Sequence, residues 1–446
     1  MSSPRCDTAV ACGLVMLMAA IGVSRTATAQ DLFISNARVL NIDARAESRR
    51  NVLIVDGKLA GFPASKPPDF TGPVIDAGGR WVMPALSDMH THSVGNFMPP
   101  GGFQMMGPEG VARAALYAGV ARYLDLFSGE DAIFAARASR TTAKTPGADI
   151  FAAGPCFTAT KGHCSEYGVP TRIVDSPADA KREVNELATK KPDVVKVVYD
   201  HRTYLGRSMP TIDRATLDAV VAAAKANGLK TVVHIGTWED VRHAIQAGAA
   251  AVTHTPDGPP PADIPALMVE RGTLHIPTLA VQGDYARFAD DPSLLDSPLL
   301  ASMISAKAIA VFKKPPPPGQ LAGWLELQRT SRESNAAAVR TLAAAGVPMV
   351  TGTDGGNPAV FQGYSVHREL RLLVEAGLSS WDALAATTIN AGRLLGRKWG
   401  TAIGDEGTLV ILDASPLDDM RNTERVHTVI LRGVAVDRDA IRPPTP

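Results

Sequence analysis

Ala85-Leu86-Ser87-Asp88-Met89-His90-Thr91-His92 is the stretch on which the fold of this chain turns. It closes an apolar, β-rich run over 81–89 and ends in a His-x-His pair. In a strand, residues two apart point to the same side, so His90 and His92 can face one metal ion. A His-x-His pair alone says little, because two histidines at a strand end also serve as ordinary hydrogen-bonded polar groups. The pattern downstream carries the argument. Further apolar runs at 121–127, 149–153, 194–199, 230–235, 251–255, 274–280 and 347–353 alternate with helix-period segments, the pattern of βα units on a parallel sheet. Eight such runs are the count for a closed (β/α)8 TIM-type barrel.

The intervening helices carry their own boundary signals. Thr237-x-x-Asp240 is a capping box, Val241, Ala244 and Ile245 supply one apolar face, and Gly248 stops the helix. A second helix runs from about Asp213, with Leu217, Val220, Val221 and Ala224 at helical spacing and Gly228 at its end.

Barrel enzymes carry reacting groups at the C-terminal ends of their strands. Ligand-type residues fall there in five of the eight runs. The first ends in His90 and His92, the fourth carries Lys196, the fifth and sixth end at His234 and His254, and the eighth at Asp354. The chain has 10 histidines, and four of them lie at these termini, which chance placement does not explain. Four imidazoles and a carboxylate form an N,O donor set suited to zinc and permissive of manganese, cobalt or nickel. Lys196 is the odd member, since an ammonium has no lone pair and is repelled by a dication. Beside a metal it makes sense when neutral or when carboxylated by carbon dioxide.

Around this interior the two ends of the chain have all-β character. Short strands separated by Asn, Asp and Gly occupy 31–80, with Asp56-Gly57 as a hairpin turn, and the 399–446 stretch repeats the style. The expected organisation is a small β-sandwich built from 30–80 plus 399–446 and a barrel over 81–398. Residues 282–328 are expected as an irregular, lid-like insertion containing the proline run 315–318. The first 29 residues read as a signal peptide: Arg5, an apolar run over 8–23, then Ala27-Thr28-Ala29 as a small-x-small cleavage pattern. The run is short for a bilayer span of about 20 residues, so no stable membrane anchor is expected and the mature protein is placed in the periplasm or outside the cell. In an oxidising compartment Cys156 and Cys164 are free to pair, the alternative being two buried thiols. With 45 basic and 45 acidic residues, the chain lacks the charge of a nucleic-acid binder. Aromatic residues at 5% argue against a base- or sugar-stacking surface.

The ordered set His-x-His, Lys, His, His, Asp resembles the amidohydrolase superfamily. Val350-Thr351-Gly352-Thr353-Asp354 resembles its eighth-strand motif. Ser365 to Leu370 and Asn390 to Gly396 resemble the tail of the imidazolonepropionase-like and prolidase-like branch. Ser87, where a more apolar residue is common, and Cys164 in the glycine-containing loop depart from the pattern without touching its ligands. The resemblance implies two divalent metal ions, with zinc the expected species. His90, His92 and Asp354 would hold the more buried ion and His234 and His254 the other, with N6-carboxylated Lys196 and a hydroxide bridging both. It also implies Asp354 as general base and then acid in hydrolysis of a small amide, of dipeptide or N-acyl amino acid type. A cyclic-amide or lactone hydrolase is the alternative on the same site, and a catalytically silent metal- or ligand-binding protein is the alternative of another class.

Substrate contacts are expected from His163 after the third strand, from Tyr199, His201 and Arg202 after the fourth, and from His367 after the eighth. Arg202 or Tyr199 would suit a substrate carboxylate. His275, His243 and His427 read as structural or peripheral. The partner is thus a small molecule, and a homo-oligomer is compatible with the sequence.

Overall fold

The computed structural model describes residues 30–98, 102–140, 143, 145–314 and 319–444. The expected signal peptide and the proline run 315–318 lie outside the described residues. The chain is a mixed α/β protein in which parallel strands alternate with helices. Leu86–Thr91, Val120–Asp125 and Asp149–Ala152 form one parallel sheet. Val194–Tyr199, Lys230–Ile235, Ala251–Thr253 and Leu274–Ile276 run parallel in another.

Backbone hydrogen bonds join the two sheets at both edges. Asp193 donates to Ala152 O (2.9 Å) on one side. On the other, His275 donates to Pro348 O (3.1 Å), Val350 to His275 O (2.8 Å), and Met89 to Thr351 O (2.8 Å). The strands are buried on both faces, as the run Val194–Tyr199 shows throughout its length, and so read as continuous apolar segments rather than alternating ones.

Two strand expectations need correction. The run 81–89 is two strands: Trp81–Pro84 pairs antiparallel with Leu409–Leu412 and parallel with Leu32–Asn41, whereas Leu86–Thr91 lies beside Val120–Asp125. Ala85 is therefore the point where the chain passes from one sheet to the other. The run 347–353 makes only an isolated bridge, Met349 to His275, and no regular strand. Pro348 brings no N–H to a ladder, which limits how far pairing can extend.

The chain ends assemble into one eight-stranded sheet. Its order is Val434–Ala435, Val426–Leu431, Leu409–Leu412, Trp81–Pro84, Leu32–Asn41, Ala46–Val55 and Lys58–Gly61, with Val74–Asp76 beside Leu32–Asn41. The far edge turns back on the sheet: Leu59 donates to Asp405 O (2.9 Å) and Gly407 to Gly57 O (2.7 Å). Leu32, Ile34, Val39, Ile54, Val82 and Ile411 are buried together as its core. The expected Asp56-Gly57 hairpin is present, with φ of 49° and 70°, the pair of positive values a tight two-residue turn requires.

Local signals place the helices well. Thr237 and Asp240 form the capping box of Trp238–Ala247, which ends at Gly248 with φ 95°. The Asp213 side chain caps Arg214–Ala226. The described part of the insertion over 282–328 is not irregular. It contains the helices Asp284–Asp290, Pro298–Met303 and Ala306–Phe312 and the start of the 25-residue helix Gln320–Ala344. Tyr285, Phe288, Leu300 and Phe312 are buried in the main core, and Asp284 forms a fully buried bidentate pair with Arg368 at 2.7 and 2.8 Å. Three helices of six or seven residues gave no long period to read.

Two histidines outside the strand-end cluster act as neutral core groups. His367 and His275 are both buried, and burial first of all lowers each to about 4 from the ordinary 6.5. Between those values the unfolded chain binds more protons than the folded one, so stability falls as pH drops from about 6.5 toward 4. Each site contributes up to about 3 kcal/mol to that loss. Chemical denaturation across this range should show the decline, and His367→Gln should flatten its slope by about one proton. An unchanged slope in the variant would show that His367 does not titrate this way.

Candidate metal centre

The side chains at the strand ends converge because the strand period sets their direction. Lys196 and His234 lie on adjacent paired strands, His90 on the Leu86–Thr91 strand, His254 just beyond the Ala251–Thr253 strand, and Asp354 just after the bridged 347–353 segment. The last two turn sharply. His254 has φ 74° and Asp354 φ 62°, a left-handed conformation that L side chains rarely adopt. Tertiary hydrogen bonds hold both: His254 donates its N–H to Ile276 O (2.9 Å) and Asp354 to His90 O (2.7 Å).

The Asp88 carboxylate lies behind this turn. It accepts from Thr353 N (3.1 Å), Thr353 Oγ1 (2.6 Å) and His90 N (3.1 Å), tying the segments that carry His90 and Asp354 together. Burial pushes its pKa up to about 7 against the pull of those donors. Glu369 does the same for another turn, accepting from Leu279 N (3.0 Å) and Ala280 N (2.7 Å), next to Thr278.

Hydrogen-bond partners assign the ring protons. Thr278 donates its hydroxyl to Pro277 O (2.7 Å), so Thr278 Oγ1 accepts from His254 Nδ1 (2.8 Å) and leaves His254 Nε2 as a lone pair. A carboxylate only accepts, so His234 Nε2 donates to Asp200 Oδ2 (3.0 Å) and Nδ1 of His234 is the lone pair. Those two lone-pair nitrogens face each other at 3.0 Å. Asp354 Oδ1 is buried, 2.8 Å from His92 Nε2 and 3.3 Å from His90 Nε2, yet it has no well-directed hydrogen bond. Donor atoms of His90, His254 and Asp354 lie within 4.8 Å of one another. Lone pairs gathered out of water repel unless a cation stands among them, and neutral imidazoles with a carboxylate are the ligands of a divalent transition metal. The residues fit such an ion.

Protonation agrees with this fit. Burial holds His90 and His254 well below the ordinary imidazole value and brings His234 down to about 4 despite Asp200. For Asp354 the burial penalty is outweighed chiefly by the contact with His92, with Lys196 also close, and its carboxyl stays below the usual range. Lys196 is 2% exposed, its Nζ 3.4 Å from His90 Nε2, and burial lowers it to about 7 despite the pull of Asp354 and Asp125.

Of the residues expected from sequence, His90, His92, Lys196, His234, His254 and Asp354 come together. His163 lies beside them, its ring 4.8 Å from that of His234 and its Nδ1 on Glu166 (2.6 Å). Arg202 is at the rim with one arm engaged, donating Nη2 to Asp200 Oδ2 (2.9 Å). Three expected substrate contacts are corrected. Tyr199 stands an odd three residues from Lys196, so it points to the opposite face and bonds His243 Nδ1 (2.9 Å) on the neighbouring helix. His201 is tied to Asp240 at that helix's start (2.6 Å). His367 is fully buried, with both ring nitrogens engaged by Thr423 (3.0 Å) and Ala118 (2.9 Å). His275, read as structural, supports the site from behind by bonding His254 O (3.0 Å).

Sequence reasoning missed Asp200, Thr253 and Thr278, the partners of three ligand-type histidines. Thr253 Oγ1 lies 2.6 Å from His90 Nδ1. Only the position of Asp200 directly after the Val194–Tyr199 strand hinted at its role. Cys156 and Cys164 are paired across 7.0 Å between Cα atoms and are buried with Phe127 and Val198.

Comparison with known proteins agrees with this geometry. The amidohydrolase family matches residues 81–436. Imidazolonepropionase of Cereibacter sphaeroides is 27% identical over 372 residues, 77% of this chain and 83% of that protein. Among solved structures, a Xaa-Pro dipeptidase with bound methionine in the active site aligns with TM-score 0.75 at 20% identity, over 91% of this chain and 99% of that one. Ochratoxinase of A. niger gives 0.72 at 19% identity, over 92% and 96%. These structural likenesses carry the fold, which is of the TIM-barrel type.

If the converging lone pairs hold a divalent ion, chelator-stripped protein should gain stability on adding Zn2+. Saturation at 100 times the dissociation constant gives about 3 kcal/mol, readable as a rise in Tm. His254→Ala should lose most of that gain. Equal stabilisation of the variant would place the ion elsewhere.

Proposed function

Because this chain belongs to the amidohydrolase family, in its imidazolonepropionase- and prolidase-like branch, and is a hydrolase of carbon–nitrogen bonds, we propose that it is an exported, binuclear hydrolase of small amides. The observation that carries this is the buried Asp354 Oδ1, without a well-directed hydrogen bond, set among ring nitrogens of His90, His92 and His254. His90, His92 and Asp354 would hold one ion, His234 and His254 the other, and Lys196, carboxylated by carbon dioxide, would offer an oxygen to each. Bound divalent ions, zinc foremost, polarise a scissile carbonyl and make water acidic enough to attack near neutral pH.

The chain's own groups do the rest. Asp354 is held ionised and buried, so it takes the proton of the attacking water at a carboxylate oxygen and returns it to the departing nitrogen. A low-dielectric surround strengthens each of these contacts. Lys196, buried and brought to about 7, has at neutral pH a substantial unprotonated fraction, the form that adds to carbon dioxide. At the rim, His163 and the remaining donors of Arg202 suit the carboxylate of a dipeptide or N-acyl amino acid. The Cereibacter imidazolonepropionase supports a second reading, a cyclic amide in place of the linear one.

Two further proposals follow from the chain's layout. The hydrogen bonds linking the parallel sheets at both edges support a closed (β/α)8 barrel, and the folded-back terminal sheet supports a β-sandwich contributed by both ends. The apolar N-terminal run with its small-x-small site, together with the Cys156 and Cys164 pair, supports export with cleavage after Ala29.

Purified, metal-loaded protein should turn over members of a library of dipeptides, N-acyl amino acids and cyclic amides, and elemental analysis should give about two metals per chain. Full occupancy without turnover of any member would favour a binding protein. Lys196→Ala should abolish activity and lose metal. Acetate or propionate should partly restore it by filling the vacated space, whereas Lys196→Arg should not be rescued. Near-normal Lys196→Arg would remove the bridging role.

For export, the product expressed from the full chain should begin at Gln30, by N-terminal sequencing, and show no free thiol on titration after denaturation. A start at Met1 would refute cleavage, and two titratable thiols would refute the disulfide.

A further inference from the structure

His234 can offer a metal either of its ring nitrogens, and the choice is not made by His234 itself. Its Nε2 lies 3.0 Å from Asp200 Oδ2, and its Nδ1 lies 3.0 Å from Nε2 of His254. The Asp200 carboxylate is in turn held on several sides. Arg202 gives it both a backbone N–H to Oδ1 (2.8 Å) and an Nη2–H to Oδ2 (2.9 Å). Its own N–H is anchored on Thr211 Oγ1 (3.1 Å). Gly236, two residues past His234, leaves the space that the carboxylate fills, since a Cβ there would collide with Asp200 Oδ1.

We propose that Asp200, clamped by Arg202 and given room by Gly236, is a positioning residue that fixes the Nε2–H tautomer of His234 and so directs its Nδ1 lone pair to the metal. The inference rests on reading the cluster as a metal centre. It reassigns Arg202 as well: the guanidinium expected to bind substrate spends one arm on holding the carboxylate that orients a ligand. Without Asp200, the buried imidazole loses the acceptor that distinguishes its nitrogens, and the proton can move to Nδ1, where it blocks coordination. Asn in its place keeps an acceptor oxygen of the same shape but loses the charge and sets an amide against the Arg202 donors.

The test compares the wild type with Asp200→Ala, Asp200→Asn and Gly236→Ala, each as the full mature chain. Long-range 1H–15N spectra of histidine-labelled, chelator-stripped protein report the tautomer, Zn2+ competition against a chromophoric chelator reports affinity, and Tm of the stripped protein reports the fold. The wild type should show His234 as Nε2–H. Asp200→Ala should mix the tautomers and weaken one Zn2+ site by about 10- to 100-fold with Tm unchanged, Asp200→Asn should fall between, and Gly236→Ala should mimic Asp200→Ala by displacing the carboxylate. An Nδ1–H tautomer in the wild type, or wild-type tautomer and affinity in Asp200→Ala, would overturn the proposal. So would equal weakening of both sites with a fall in Tm, the mark of a merely structural residue. If the wild type binds no Zn2+, the metal reading fails, and the tautomer spectra alone decide whether Asp200 sets the ring.

Discussion

Two imidazole lone pairs held 3.0 Å apart, with a buried carboxylate oxygen lacking any well-directed hydrogen bond close by, form the arrangement on which the site depends. Such groups repel and are costly to remove from water. The surrounding fold therefore has to supply rigidity, and a bound divalent cation would supply the compensation. Each ring is fixed from behind: Thr253 on His90, Thr278 on His254, Asp200 on His234. On His254 and His234 these outer partners decide which ring nitrogen keeps its lone pair.

The same requirement explains two buried carboxylates, Asp88 and Glu369, that make no ion pair among the described residues. Asp88 fastens the His90 strand to the segment carrying Asp354, and Glu369 fastens the turn that presents Thr278. Burial raises their pKa values, to about 7 and about 8. Backbone N–H donors are the compensation, and they are the groups left unpaired where strands end and the chain turns with positive φ. Neighbouring Asp284 differs, being paired with Arg368. That pair joins the helical insertion to the helix Tyr364–Glu375 and makes the insertion part of the core. Buried ion pairs add little net stability but penalise alternatives, which suits a segment that must dock in one way.

Features that depend on local period and chemical type are legible in the chain alone. Alternation of apolar runs and capped helices gave the α/β class, and His-x-His, Lys196, His234, His254 and Asp354 stood out because ligand-type residues are scarce and fell at strand ends. The Asp56-Gly57 turn and the Thr237 capping box were legible for the same reason: their hydrogen bonds close within four residues. Features that depend on partners far along the chain emerge only in the folded molecule. It split the run 81–89 between two sheets, because Trp81–Pro84 pairs with strands from both chain ends. It turned Tyr199 and His201 outward to helix-borne partners and buried His367 between Ala118 and Thr423, removing all three from the site. It also brought Asp200 to His234 across 34 residues, and no periodicity in a chain can show which carboxylate will meet which ring nitrogen.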